Sequence, residues 1–196
     1  MSEDGEDQAD GAMIVWPLER LARVMRAREH EGGLNPAQWE ALRYLNRANR
    51  FSNSPGALTR YLGATKGTIS QTLMALERKG FIAKAERPGE KRSVSLTLTQ
   101  KGREALSHDP WTELSAAADD LGGKTRRRLH RGLSELLEGE LKRGGLLSFG
   151  VCGTCRYFRE KGLDREAQGP HQCMFFEQPL NAAESHLICV AHEAAG

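Results

Sequence analysis

Apolar residues recur at helical spacing through most of the first 143 positions of the chain. The first such stretch, from Met13 to Glu29, predicts a helix whose start is delayed by Pro17. Asn35 followed by Pro36 supplies an N-cap and a proline at the first helical position, so a second helix begins there. The buried side of that helix is formed by Trp39, Leu42 and Leu45.

Two more helices, joined by a short turn, are predicted in the next segment. A short helix from Gly56 to Leu62 is followed by a glycine-containing turn and a longer helix from Lys66 to Lys79, which Gly80 ends. Helix, tight turn and helix form the helix-turn-helix pattern. The polar segment 46–55 before it is expected to be a solvated loop, with a part in an effector pocket as the alternative.

The hydrophobic period then changes from 3.6 to 2, which predicts two strands over 81–86 and 93–98. The intervening segment 87–92 contains Pro88-Gly89 and three basic residues, so we expect a hairpin with a basic tip, called a wing. A helix from about 99 to 107 follows.

A long leucine-rich region begins at Asp109-Pro110 and continues to about Leu141, with a predicted break at Gly122-Gly123. Leucines at 129, 133, 136 and 137 fall on one stripe. Such a stripe at the end of a small domain indicates a helix that packs against something.

Charge is unevenly distributed along the 196 residues, although the whole chain carries a net charge of only +2. Residues 57–103 contain ten Lys or Arg against three Glu. A local basic excess of this kind suits a polyanion, because each neutralised phosphate releases counterions.

Five segments of the chain resemble the MarR family of winged-helix transcriptional regulators over about residues 12–141. They are Leu34-Asn35-Pro36-Ala37-Gln38-Trp39, Ala64-Thr65-Lys66-Gly67-Thr68-Ile69-Ser70, Leu76-Glu77-Arg78-Lys79-Gly80-Phe81-Ile82, Arg92-Ser93-Val94 and Leu98-Thr99-Gln100-Lys101-Gly102. The resemblance implies a homodimer whose N- and C-terminal helices form the interface and whose two recognition helices read a pseudo-palindromic DNA operator. It leaves open a small-molecule effector.

Side chains near the start of the second helix of a helix-turn-helix face base edges in the major groove. The candidates here are Thr65, Lys66, Thr68, Ser70, Gln71 and Thr72. The candidates in the wing are Arg87, Lys91 and Arg92, which can contact phosphates or enter a minor groove. The sequence departs from the family at Glu90, where an Asp usually precedes the wing arginine by two residues.

Four cysteines, Cys152, Cys155, Cys173 and Cys189, all lie in the last quarter of the chain. Such a set indicates metal ligands rather than disulfides in a cytosolic protein. Structural zinc fits four thiolates, although a second CxxC is absent. The spacing is also similar to that of high-potential iron–sulfur proteins, so a [4Fe–4S] cluster is the alternative. Histidines 171, 186 and 192 could each replace one cysteine ligand.

Two other functions compete with this interpretation. The CxxC motif could be a dithiol redox centre, but neither a βαβ pattern nor a helix N-terminus accompanies it. Alternatively, the tail could be a metal-dependent protein-interaction module tethered to DNA. No arrangement typical of a catalytic site is found elsewhere, so the sequence does not predict an enzyme.

The predicted fold class is mainly α with a small β-hairpin wing, forming a winged helix-turn-helix dimer with a small metal-binding tail that contains the four cysteines. Residues 1–11 are acidic and expected to be disordered, 12–143 form the DNA-binding and dimerisation domain, and 144–196 form the linker and cysteine module. The acidic N-terminus and the lack of a long apolar run favour a cytoplasmic location without membrane contact.

Replacing the wing arginine tests whether the hairpin contacts phosphates. We expect Arg92→Ala to weaken binding to all DNA sequences and to reduce the salt dependence of log K by about one charge. The measurement is a fluorescence-anisotropy titration at several salt concentrations. An unchanged salt slope would exclude Arg92 from the interface.

Overall fold

The computed structural model describes residues 10–30, 33–87, 90–161 and 169–195, without the side chains of residue 87 and residues 90–93. Most of the predicted disordered segment, 1–9, lies outside these ranges. Asp10 and Gly11 of that segment instead start the first helix, because the Asp10 carboxylate accepts a hydrogen bond from the backbone N–H of Ala12.

Helices and short strands make up the described chain, and as far as Arg143 they follow the predicted order. The helices are α1 Gly11–Arg28, α2 Pro36–Arg47, α3 Pro55–Leu62, α4 Lys66–Arg78, α5 Gln100–Ser107, α6 Pro110–Asp119, α7 Gly123–Arg143 and α8 Ala182–Ser185. The strands are β1 Ile82–Arg87, β2 Glu90–Leu98, β3 Phe158–Arg159, β4 His171–Cys173 and β5 Gln178–Leu180. None of the helices among the described residues is both long and apolar enough to cross a membrane.

The prediction that Pro17 delays the first helix is wrong. Helix α1 begins at Gly11 and contains Pro17 in its interior. A proline at this position removes one backbone hydrogen bond. The Asp10 cap and the turns that follow are sufficient to keep the helix continuous.

Local caps set the boundaries of the winged-helix core. Asn35 and Gln38 form a reciprocal capping box at the start of α2, and Thr65 and Thr99 cap α4 and α5. Strands β1 and β2 pair antiparallel, as expected for the wing. Gly102 allows α5 to pack against the hairpin base, because a Cβ there would lie 2.2 Å from the Phe81 carbonyl oxygen.

A buried charge network joins α1, α2 and the start of α6. Arg43 bonds the carboxylate of Glu29 at 2.6 Å and that of Asp109 at 3.1 Å. Both acidic residues are 2% exposed. The indole N–H groups of Trp111 and Trp39 also donate to Glu29, to its side chain and its carbonyl respectively. The network therefore attaches the two flanking helices to the winged-helix core.

The segment between α2 and α3 is not the solvated loop that the sequence suggested. We call residues 48–54 the interhelix turn. Asn49 and Ser52 in this turn are 1% and 0% exposed. They are covered because the C-terminal region folds back onto the turn, with Ile188 forming a bridge to Ala48.

The C-terminal region consists of a short 3-10 turn at Cys152–Thr154, an antiparallel sheet of order β3-β4-β5, and α8. Phe149, just before this region, inserts into the main hydrophobic core and meets the Tyr61 and Tyr44 rings edge-on. The region is thus packed against the winged helix through both Phe149 and the interhelix turn.

Removing the cation of the buried network should destabilise the fold. We expect Arg43→Ala to lower the free energy of unfolding by about 3–5 kcal/mol, because Glu29 and Asp109 lose their buried counter-charge. Urea denaturation is the measurement. The control is Arg23→Ala, which breaks an exposed ion pair with Glu19 and should cost under about 0.5 kcal/mol. Equal losses in the two variants would contradict a special role for the network.

Candidate nucleic-acid interface and cysteine cluster

Helix α4 is positioned by the turn before it and by a threonine cap. Gly63 adopts a left-handed conformation with φ of 60°, which reverses the chain after α3. The Thr65 hydroxyl then accepts a hydrogen bond from the Thr68 backbone N–H at 3.1 Å. The first turn of α4 is therefore capped by its own sequence, and its side chains are exposed.

Five of the six predicted α4 residues lie on one exposed surface. We call Thr65, Lys66, Thr68, Ser70 and Gln71 the recognition face. Ile69, Leu73 and Leu76 lie on the other side of the helix, in the core. The short polar side chains are thus separated from the apolar ones, as groove reading requires.

Thr72 does not belong to this face and is a correction to the predicted set. Its exposure is 9%, and it lies beside Leu73 on the side of α4 that packs inward. A position three residues after Ile69 shares its helical face, so the local geometry accounts for the burial.

Met74 is also exposed on α4, although it is not among the DNA-binding residues predicted from the sequence. It is 55% exposed and follows Ser70 by four residues, so it extends the recognition face by one turn. Ile69, Leu73 and Leu76 mark the buried side of α4, and position 74 falls outside that side. This helical spacing could have identified Met74 from the sequence.

Part of the local basic excess serves the fold itself. The Lys79 ammonium donates to the Gly33 carbonyl and to Gln38, while Lys101 donates to the Lys79 carbonyl. Lys84 pairs with Glu77 at 2.5 Å. The net charge of residues 57–103 therefore overstates the number of cations directed at a ligand.

The wing hairpin is confirmed by the backbone. The regular register of β1 and β2 shifts after Glu86, where Arg87 pairs with Glu90 near the tip. The side chains of the predicted wing residues Arg87, Lys91 and Arg92 lie outside the described residues. At its base the hairpin contacts the interhelix turn, because the Leu96 N–H donates to the Asn53 carbonyl at 2.7 Å.

Two helices expose large apolar side chains. Trp16 on α1 is 70% exposed, and Met13, Ile14 and Val15 beside it are also exposed. The predicted leucine stripe on α7 is fully formed, but each of its leucines is at least 37% exposed and no α7 residue is buried. A single copy of the chain therefore leaves both faces uncovered.

An open cleft of about 680 Å³ lies between α2 and α6. Its wall includes Arg43, Arg47, Tyr61 and Trp111. Two acidic residues, Glu40 and Asp109, also line it, and Arg43 is already paired with Glu29 and Asp109, so the charges of the wall balance.

All four cysteines line one cavity in the C-terminal region. Cys152 and Cys155 lie at the two ends of the 3-10 turn, and the fold brings Cys173 of β4 and Cys189 after α8 to the same cavity. The other walls are mainly aromatic and come from Phe51, Tyr157, Phe158, Phe175 and Phe176. We call the set of four cysteines the cysteine cluster.

All four thiols are free, and Cys152 and Cys189 are buried. Burial raises the pKa of Cys152 to about 11, and the neighbouring Cys189, Cys173 and Cys155 add to the rise. Within the described residues, no group of three or more His, Cys, Asp or Glu side chains is arranged to hold a metal ion. His192 lies outside the cavity and bonds Ser148 and Thr154 instead.

One polar atom in this cavity wall has no hydrogen-bond partner among the described residues. The Asn49 side-chain oxygen accepts hydrogen bonds from Phe51 N–H and from the Ser52 hydroxyl. The Asn49 amide nitrogen, Nδ2, is buried and has no hydrogen-bond partner among the described residues. Unsatisfied buried donors are rare and need an explanation.

The sequence of this chain is similar to those of known transcriptional regulators. The MarR family profile matches residues 32–93. The HTH-type transcriptional regulator YkoM of Bacillus subtilis, whose name marks it as uncharacterized, is 30% identical over 52% of this chain and 68% of its own length. The transcriptional repressor MprA of Escherichia coli K12 is 29% identical over 58% of this chain and 69% of its own length.

Solved structures share the fold over about two thirds of this chain. FabT of Streptococcus pneumoniae in complex with DNA aligns with a TM-score of 0.54 at 18% identity, covering 67% of this chain and 95% of FabT. A MarR transcriptional regulator from Methanosarcina mazei Go1 aligns with a TM-score of 0.52 at 23% identity, covering 66% of this chain and 96% of its own.

Proposed function

Because the chain belongs to the MarR family of transcriptional regulators, we propose that it binds a pseudo-palindromic DNA operator sequence-specifically as a homodimer. The recognition face of α4 carries this proposal. It combines an ammonium group, hydroxyls and an amide on the exposed side of a helix whose opposite side is packed in the core. Glutamine can bond adenine in a bidentate way, and Ser or Thr can contact several bases.

Dimerisation is supported by the uncovered apolar faces of α1 and α7. Exposed leucines at 133, 136 and 137 cost free energy in water, and a second copy presents the same surface in complementary orientation. The buried network around Glu29 attaches α1 and α6 to the winged helix. A dimer formed through α1 and α7 would therefore fix the distance between its two recognition helices, because this network holds α1 against the winged helix.

We also infer that the cysteine cluster binds zinc or a [4Fe–4S] cluster. Convergence of all four cysteines on one cavity supports this ligand set, and the aromatic walls would shield a bound centre from water. A small-molecule effector would fit the cleft beside Arg43 and Trp111. A cytoplasmic location remains a prediction.

A pair of neighbouring substitutions on α4 tests base reading. We expect Gln71→Ala to cost about 1–3 kcal/mol on a duplex selected from a random library and little on a scrambled duplex. Thr72→Val is the matched control, because the buried Thr72 does not face the groove. Anisotropy titration gives both affinities. An equal loss on the two duplexes would exclude Gln71 as a base reader.

Charge substitution on α7 tests the dimer. Leu137→Lys places an ammonium group in the leucine stripe, so we expect a folded monomer by analytical ultracentrifugation and weaker operator binding. Glu135→Lys introduces the same residue on the opposite side of α7 and should leave the dimer intact. A dimer that survives Leu137→Lys would place the interface elsewhere.

A further inference from the structure

The cysteine cluster and the helix-turn-helix meet at the interhelix turn. One cluster residue, Cys189, lies between two residues that bond this turn directly. The Ile188 N–H donates to the Arg47 carbonyl at 2.8 Å, and its carbonyl accepts from Asn49 N–H at 3.0 Å. The Val190 N–H donates to the Ser52 hydroxyl oxygen at 2.8 Å.

The other side of the interhelix turn contacts the winged helix. Tyr44 donates its hydroxyl hydrogen to the Ser52 carbonyl at 2.7 Å, and Leu96 of β2 bonds the Asn53 carbonyl. Ser54 then caps α3, the first helix of the helix-turn-helix. A displacement of the turn would therefore reach both the wing and α3.

Further contacts clamp the turn against the C-terminal region. The Phe51 ring stacks on Phe176 with centroids 4.1 Å apart, and Arg50 forms an ion pair with Glu184 at 2.5 Å. Both Phe51 and Phe176 also line the cysteine cavity. The cavity is thus built partly from the turn itself.

Asn49 belongs both to the interhelix turn and to the wall of the cysteine cavity. Its oxygen organises the turn through Phe51 and Ser52, while its amide nitrogen belongs to a residue of the cavity wall and has no partner among the described residues. A thiolate or sulfide inside the cavity would accept that hydrogen bond, and such bonds are a normal second layer around metal–sulfur centres.

We propose that occupancy of the cysteine cluster regulates DNA binding through the interhelix turn. This inference rests on the proposed DNA-binding and metal-binding function. If a metal centre binds the four sulfurs, the Asn49 amide would donate its hydrogen to a sulfur of that centre, and Cys189 would fix the segment 188–190 against the turn. The filled cluster preorganises α3 and β2, whereas the empty protein must order them on binding DNA.

The first experiment measures what the cluster binds. Protein purified without oxygen is analysed for zinc, iron and sulfide and by absorption spectroscopy. One zinc, or about four irons with sulfide, per chain supports a four-thiolate centre and decides which one it is. Cys173→Ser should lose that metal. A wild-type protein that stays metal-free, even after anaerobic addition of Zn²⁺ or of Fe²⁺ with sulfide, overturns the inference.

The second experiment compares DNA affinity with and without metal. We expect removal of the metal by a chelator to raise the Kd for the selected duplex at least about fivefold, within the usual range of coupling between sites. An unchanged or lower Kd overturns the regulation and leaves the proposed DNA-binding function intact. If neither form distinguishes the selected duplex from a scrambled one, the proposed DNA-binding function itself fails.

Ser52→Ala separates coupling from metal binding. It removes the hydroxyl that bonds Val190 and the Asn49 oxygen but none of the cysteines, so the variant should keep its metal while the affinity ratio between loaded and stripped forms falls towards one. Arg50→Ala is a milder variant with the same expectation, and its control is Arg126→Ala, which breaks an ion pair with Asp119 outside the turn. If both turn variants keep the wild-type affinity ratio between loaded and stripped forms, the coupling does not pass through the interhelix turn.

Asn49→Asp tests the hydrogen bond to the centre. The aspartate keeps the oxygen that bonds Ser52 but cannot donate in its ionised form. Loss of a donor to sulfur should shift the thiolate-to-metal absorption of the Co²⁺-loaded protein, or of the cluster, to longer wavelength. An unchanged spectrum excludes Asn49 as a donor to the centre. Circular dichroism of the loaded variant verifies that it is folded.

Discussion

Ser52 holds together the parts of this protein that are distant in sequence. It is fully buried, and its backbone and side chain bond Tyr44 in α2, Asn49 in the interhelix turn and Val190 in the C-terminal region. Each of these polar groups has left water and has to find a partner, since an unpaired buried group costs about 1–3 kcal/mol. The position of the C-terminal region is therefore tied to the start of the helix-turn-helix.

A second buried network is centred on Arg43, the residue of α2 next to Tyr44. Arg43 neutralises Glu29 and Asp109, which would otherwise be uncompensated carboxylates in a nearly dry environment. Arg43 thereby joins α1, which precedes the winged-helix core in sequence, to α6, which follows it. Together the two networks attach α1, α6 and the C-terminal region to α2 of the winged-helix core.

Local features of the sequence were sufficient for most elements of the winged helix. Asn35, Thr65 and Thr99 are caps whose partners lie three residues away, so each boundary could be predicted without knowing the fold. Pro17 shows the limit of such rules, because a single residue preference was outweighed by the Asp10 cap and the remaining turns of α1. The burial of Thr72 also depends on the rotation of α4 against the core.

By itself, the sequence determined the helix-turn-helix, the hairpin and the grouping of four cysteines in the last quarter of the chain, since periodicity and spacing are properties of neighbouring residues. The tertiary structure alone decided that Asn49 and Ser52 of the polar segment 46–55 are buried, that the cysteines share one cavity and that Asn49 lies in its wall. The burial of Asn49 and Ser52 depends on contacts between residues more than one hundred positions apart, such as Ser52 with Val190. Only the folded chain brings these residues together.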